Sequence, residues 1–214
     1  MYDTHTHTTL SDGVLVPAEL ARRCQALGYR GLVISDHCDH SSIEQMVGRL
    51  VEFCEAVEGH YGEMQVLPGC EITHVPPALI GGLVVLGREM GAEVVLVHGE
   101  TIVEPVAPGT NRAAVEADCD VLAHPGLITP EDAALAAEHG VALEISGRKG
   151  HCLTNGHVAA AALRAGAALA FGSDGHAPGD YPSRSHAEQI ARGAGLSEEE
   201  VATLLRNTAG FFGE

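Results

Sequence analysis

Residues 93–125 read EVVLVHGETIVEPVAPGTNRAAVEADCDVLAHP. An unbroken apolar run over 93–98 ends on His98, a Pro-rich stretch (PVAPGT, 105–110) follows, residues 111–118 carry a helical pattern, and a second apolar run over 120–124 ends on His124. Apolar runs without alternation are the mark of strands covered on both faces. A helix between two such runs makes a parallel βα unit. Both strands also deliver a histidine at the C-terminal end.

The same unit recurs along the chain. Strands are expected at 31–36 (GLVISD), 64–70 (MQVLPGC), 141–146 (VALEIS) and 167–173 (AALAFGS), with a first one around 2–6, which makes seven in all. Helices are expected at 17–27, opened by Pro17, then at 43–59, 77–91, 130–139 (opened by Thr129-Pro130), 156–165, 184–193 and 197–206. The last begins with Ser197 and Glu200 in capping-box spacing. No linker interrupts this alternation, so residues 1–214 are expected to form one α/β domain. Neither a glycine-rich dinucleotide fingerprint nor a P-loop is present, so a doubly wound sheet has no support.

Composition narrows the function. Twelve Lys+Arg against 29 Asp+Glu give a formal charge of −17, and 13 His exceed the Lys+Arg total. Duplex nucleic acid draws affinity from clustered Lys and Arg, so no long duplex is expected as partner, and a cationic site here is more readily built from metal on imidazole. Six Cys stand singly with no CxxC pair, which fits reduced thiols. The first 13 residues, MYDTHTHTTLSDG, have no basic or apolar leader, and no stretch reaches membrane-spanning length. Cytoplasm is the expected compartment, with no membrane partner.

The polar residues cluster by position. Asp3, His5 and His7 close the first strand, Asp36 and His37 the second, Glu71 follows the third, His98 and His124 close the next two, Glu144 sits late in the sixth, and Asp174 and His176 follow the seventh. In a parallel barrel all these ends meet on one face. His5 and His7, two apart on an extended segment, point the same way. Any one of these histidines alone reads equally well as an ordinary core or loop residue. Together they are costly to bury unless they pair or hold metal. Asp12 is either a turn residue of Ser-Asp-Gly or a carboxylate folded back over the strand ends. Glu144 is either a base orienting a ligand or water, or a plain strand-end carboxylate. His74 and His151 fall near the rim, and the remaining histidines on the surface. There is no GxSxG elbow.

Taken in order, Asp3-Xaa-His5-Xaa-His7 with Ser11-Asp12-Gly13, Asp36-His37, Gly69-Xaa-Glu71, His98, His124-Pro125 and Ser173-Asp174-Xaa-His176 resemble the four motifs of the polymerase and histidinol phosphatase (PHP) family, over nearly the whole chain. That resemblance implies a distorted seven-stranded (β/α)7 TIM-like barrel with two or three divalent ions (Zn, Mn or Fe). His5, His7, Glu71 and Asp174 match the ligands of a first ion, and Glu71, His98 and His124 those of a second. Asp12, His37 and His176 match those of a third, although some members place His at the position of Asp12. The implied chemistry is hydrolysis of a small phosphate monoester, histidinol phosphate or another phosphorylated metabolite, by a water or hydroxide bridging two ions. Asp12, His37, Glu144 and His176 are the candidate catalytic groups beside the ions. Arg148, Lys149, Arg112, His151 and Arg184, all after strand ends, are the candidate substrate binders. A nucleotide phosphoesterase or 3′–5′ exonuclease on short single strands is the second reading, and a non-catalytic metal-binding module the third. Oligomeric state is left open.

Overall fold

The computed structural model describes residues 1–214. Its strands are β1 (Tyr2–Asp3), β2 (Gly31–Ile34), β3 (His37–Cys38), β4 (Gln65–Ile72), β5 (Val94–His98), β6 (Val121–Ala123), β7 (Ala142–Ser146) and β8 (Leu169–Gly172). Between and after them come α1 (Pro17–Ala26), α2 (Ile43–Val57), α3 (Pro77–Glu89), α4 (Thr110–Glu116), α5 (Pro130–His139), α6 (Asn155–Ala165), α7 (Arg184–Gly193) and α8 (Glu198–Gly210). A single 3-10 turn, His151–Thr154, precedes α6.

Every strand pairing is parallel, and the order β1-β2-β4-β5-β6-β7-β8 follows the chain. β2 and β3 are two pieces of one stave: Gly31 pairs with Gln65 and His37 with Glu71, at the same offset. Eight strands therefore make seven staves, the number expected from the sequence. The ring nearly closes through a bridge between Thr6 and Gly175 and the bonds His7 N–H to Gly175 O (2.9 Å) and Asp174 N–H to His5 O (2.8 Å).

Helix starts follow local chemistry. Pro17 fits the first turn of α1, where its missing N–H costs nothing. The Thr129 hydroxyl accepts from Asp132 N–H at the start of α5, and Ser197 with Glu200 forms the expected capping box on α8.

Strand periodicity sorts the side chains into two cores. Outward residues such as Leu32, Ile34, Val95, Val97, Leu122, Leu143 and Phe171 pack under the helices. Inward residues Val33, Val94, Leu96, Val121, Ala123, Ala142 and Ala170 fill the barrel, and Phe212 packs with Tyr2 at its base, ring centroids 5.2 Å apart. Two residues on, the same inward rows become Glu71, His98 and Glu144. The barrel is thus apolar at its N-terminal end and polar at its C-terminal end. No helix is long and apolar enough to cross a membrane.

Candidate metal centre

The C-terminal ends bring together the nine residues expected to bind metal. His5 Nε2 lies 3.4 Å from Glu71 Oε2 and 3.9 Å from Asp174 Oδ1, and His7 Nε2 lies 3.7 and 3.4 Å from the same two atoms. On the other side of Glu71, His124 Nε2 is 3.4 Å from Oε1, and Glu71, His98 and His124 form one compact group. Nearer solvent, Asp12 Oδ1 is 3.5 Å from His37 Nε2, 3.1 Å from His176 Nε2 and 4.0 Å from His7 Nδ1.

These residues fit divalent ions. With metal–ligand bonds of about 2.0–2.2 Å, ligand atoms of a four-coordinate ion stand about 3.4 Å apart. The pairs around His5, His7, Glu71 and Asp174 have that spacing rather than hydrogen-bond length. His5 Nε2, both His7 ring nitrogens and Glu71 Oε1 are buried with no hydrogen-bond partner. Orphaned polar atoms on fully buried side chains are expensive unless something charged completes them.

The electrostatics agree. Burial lowers the affinity of His5 for a proton, but Glu144, Glu71 and Asp174 outweigh it and hold the imidazole well above its usual range. His7 is pushed well below that range, by burial first and then by His5 and His37. Burial alone would raise Glu71 and Asp12. Instead His5, His37 and His124 hold Glu71 low, and His176, His37 and His7 do the same for Asp12. Burial pushes Asp3 up to about 6, and its Oδ1 accepts from the N–H of His5 and of Ser173.

The loop geometry has identifiable causes. Asp36 accepts from the N–H and hydroxyl of both Thr8 and Ser11, which folds Ser11-Asp12-Gly13 over the strand ends. At Gly13 a Cβ would sit 2.5 Å from His7 O, so only glycine permits that fold. Asp12 is therefore more than a turn residue. Its carboxylate faces three imidazoles.

Of the roles open to Glu144 beside the ions, its position fits that of a carboxylate orienting a candidate ligand. It is fully buried, with Oε1 2.7 Å from His5 Nδ1 and Oε2 accepting from His124 N–H at 2.8 Å. Contact with a substrate is closed to it. It is a positioning residue that fixes the His5 ring, as carboxylates behind ligand histidines do. Gly172 makes room for it, since a Cβ there would lie 2.0 Å from Glu144 Oε1 and 2.7 Å from His5 Cβ. Gly172→Ala is expected to destabilise the fold by about 3 kcal/mol, through overpacking and a displaced buried carboxylate. Chemical denaturation measures this loss, and unchanged stability would refute the role of Gly172.

The expected substrate binders separate. Arg148 reaches the centre, with Nη1 donating to Asp174 O (3.2 Å) and lying 2.8 Å from His176 Nδ1. Lys149 is exposed on the adjoining cleft of about 460 Å³, which Arg148, Cys152, Leu153, Gly179 and His186 also line. His151 is buried rather than on the rim, stacked on His124 at 4.1 Å, and burial with that neighbour pushes it down to about 4. Arg112 is turned to Asp132, 2.5 Å away, so its charge is engaged on α5. Arg184 pairs with Glu188 and lines a different cleft with Met1, Tyr2 and Leu205, away from the centre. Following a strand-end loop says nothing of where a long side chain turns, and both arginines find carboxylates on helices.

One residue was absent from the expected set. Glu104 Oε2 lies 3.0 Å from His98 Nε2 and 3.1 Å from His74 Nε2. It sits in the Pro-rich stretch after β5, where no periodicity marks it, and its only sequence signal is proximity to His98.

Comparison with known proteins places this centre in context. The PHP domain model matches residues 3–101, a span holding His5, His7, Asp12, His37, Glu71 and His98. An uncharacterized protein of Methanocaldococcus jannaschii is 40% identical over 205 residues, 95% of this chain and 94% of that one. Ribonuclease P protein component 3 of Methanosarcina mazei is 30% identical over 151 residues, 68% of this chain and 56% of that protein. Among solved structures, histidinol phosphate phosphatase from Lactococcus lactis, complexed with zinc, L-histidinol and phosphate, superposes with a TM-score of 0.63 at 14% identity, covering 91% of this chain and 94% of that one. By sequence match, barrel and clustered metal-binding residues, the chain belongs to the PHP domain family and is a metal-dependent hydrolase.

Proposed function

We propose that the protein hydrolyses a small phosphate monoester at this centre, with His5, His7, Glu71 and Asp174 holding a first divalent ion, Glu71, His98 and His124 a second, and Asp12, His37 and His176 a third. The observation that carries this reading is the set of orphaned, buried ligand atoms spaced across ion-sized gaps beside a half-buried arginine. Bound ions supply Lewis-acid charge for the phosphoryl oxygens and lower the pKa of a coordinated water. The chain's own residues prepare the rest. Glu144 fixes His5, and Glu71 is shared between two ligand sets. Asp12, held below the usual carboxylate range, stays ionised, the form a metal ligand requires. Arg148, with about a third of its side chain exposed, is placed to hold a phosphoryl oxygen at the mouth. The cleft beyond it, lined by Lys149, Leu153 and Ile190, receives the rest of the substrate.

Histidinol phosphate or another small phosphorylated metabolite fits this description, and the likeness to the Lactococcus lactis enzyme supports it. A second reading, a nucleotide phosphoesterase or 3′–5′ exonuclease on short single strands, is favoured by the similarity to ribonuclease P protein component 3. A charge of −17 opposes extended contact with duplex in either case. A non-catalytic role fits poorly, because no expected ligand is missing from the centre.

Phosphate release from a panel of small monoesters, measured beside diesters and short single strands with manganese or zinc supplied, tests the choice. Turnover of monoesters alone is expected. Cleavage of diesters or strands without monoester turnover would overturn it in favour of the second reading. Arg148→Ala is expected to lower kcat/KM for the best monoester about 10–100-fold, the loss of a charge-assisted bond to phosphate. Lys149→Ala should cost a few-fold at most.

A further inference from the structure

Glu104 stands among more imidazoles than an isolated surface carboxylate needs. Beside His98 and His74, its Oε1 lies 3.4 Å from His151 Nε2, so three rings from three separate segments of the chain converge on one side chain. The outer nitrogens of two of these rings are already placed. His98 Nδ1 faces Gly99 O at 3.2 Å, and His151 Nδ1 faces Thr101 Oγ1 at 2.8 Å. A ring held in this way at Nδ1 directs Nε2 inward, as in histidines that ligate metal. His98, whose Nε2 meets Glu104, also belongs to the group formed with Glu71 and His124. His151 Nε2 in turn lies 3.9 Å from Asp174 Oδ2. Glu104 therefore adjoins the Glu71, His98 and His124 set through His98, from the solvent side. His74 has a φ of 53°, in the left-handed region it shares with His124 (28°) and Asp174 (51°). Such a conformation is strained for a non-glycine residue and persists where its surroundings over-determine it.

We propose that Glu104 is a fourth protein ligand of the second divalent ion, completing the set of Glu71, His98 and His124, and that His74 and His151 hold its carboxylate in position. The proposal rests on the metal-centre reading above and adds a ligand which that reading does not contain. Glu71 is shared between two ions, so the second ion otherwise receives two neutral imidazoles and part of one negative charge. A carboxylate of its own satisfies a divalent ion better and slows its loss to solvent.

The test is ion content and affinity, measured by competition with a chromophoric chelator for Zn²⁺, together with the visible absorption of the Co²⁺-loaded protein. Glu104→Gln preserves shape and is half-exposed, so folding is retained. It is expected to weaken one bound ion about 10–100-fold, leave the others unchanged, and shift the Co²⁺ bands. Unchanged affinities and an unchanged Co²⁺ spectrum in Glu104→Gln, with wild-type protein holding two or more ions, would overturn the proposal and leave the phosphoesterase reading standing. Wild-type protein that holds fewer than two ions would overturn both. His74→Ala supplies a second readout: a smaller loss at the same ion supports the positioning of Glu104, and an effect on a different ion contradicts it.

Discussion

Glu71→Gln is expected to reduce phosphate release at least about 10³-fold while the protein stays folded, and to remove more than one ion equivalent. The expectation follows from its position at the junction of the ligand sets. Oε2 faces His5 (3.4 Å), His7 (3.7 Å) and His37 (2.6 Å), and Oε1 faces His124 (3.4 Å). Glutamine keeps the volume but presents an amide where two sets of imidazoles require a shared negative charge. Loss of Lewis-acid stabilisation removes several kcal/mol from the transition state, and each 1.36 kcal/mol is tenfold in rate. Steady-state kinetics and elemental analysis of the same preparation check both parts. A variant that keeps near-native activity with a full complement of ions would show that Glu71 is not the shared ligand.

Stripping the ions is expected to abolish hydrolysis, and their return to restore it with a definite pH dependence. His5 and His37 are held above the usual imidazole range, His5 by Glu144, Glu71 and Asp174 and His37 by Glu71 and Asp12, each against the opposing effect of burial. Without ions these rings therefore keep their protons to higher pH than a free imidazole does. Ligation needs the neutral ring, so uptake expels protons and tightens as pH rises through and beyond the ordinary imidazole range. Titration calorimetry in buffers of differing protonation enthalpy counts the protons released. Uptake with no proton release and no pH dependence would contradict the assignment of His5 as a ligand.

Much of this was legible in the sequence because strands and ligands obey the same rule. Apolar runs located six of the seven staves, and His98 and His124, which end two of those runs, meet at the mouth. The break at Ser35–Asp36, which splits one stave into β2 and β3, was hidden because two residues, His37–Cys38, carry no period of their own. Eight of the nine candidate ligands came together because each lies on or near a strand end, whose direction the barrel fixes, and Asp12 because its loop is folded back by Asp36. Arg112 and Arg184 did not, because their side chains are long and their orientation is set by helix carboxylates, Asp132 on the neighbouring α5 and Glu188 one turn along α7. Glu144 was found by position, yet only its full burial behind His5 distinguishes a positioning group from one that meets substrate. Glu104 had neither a strand nor a motif to mark it.

The closure of the barrel has a temporal side. Asp3 accepts from Ser173 N–H, and His5 O from Asp174 N–H, across about 170 residues of chain. Those contacts are the seam between the first stave and the last, and the same seam joins His5 and His7 to Asp174. Local pairing cannot assemble them early, since each strand before β8 is added to its immediate predecessor, and contacts so distant in sequence are the slowest to form. In the proposed ligand set, therefore, the site of the first ion is complete only once this seam has closed, because Asp174 reaches His5 and His7 across it.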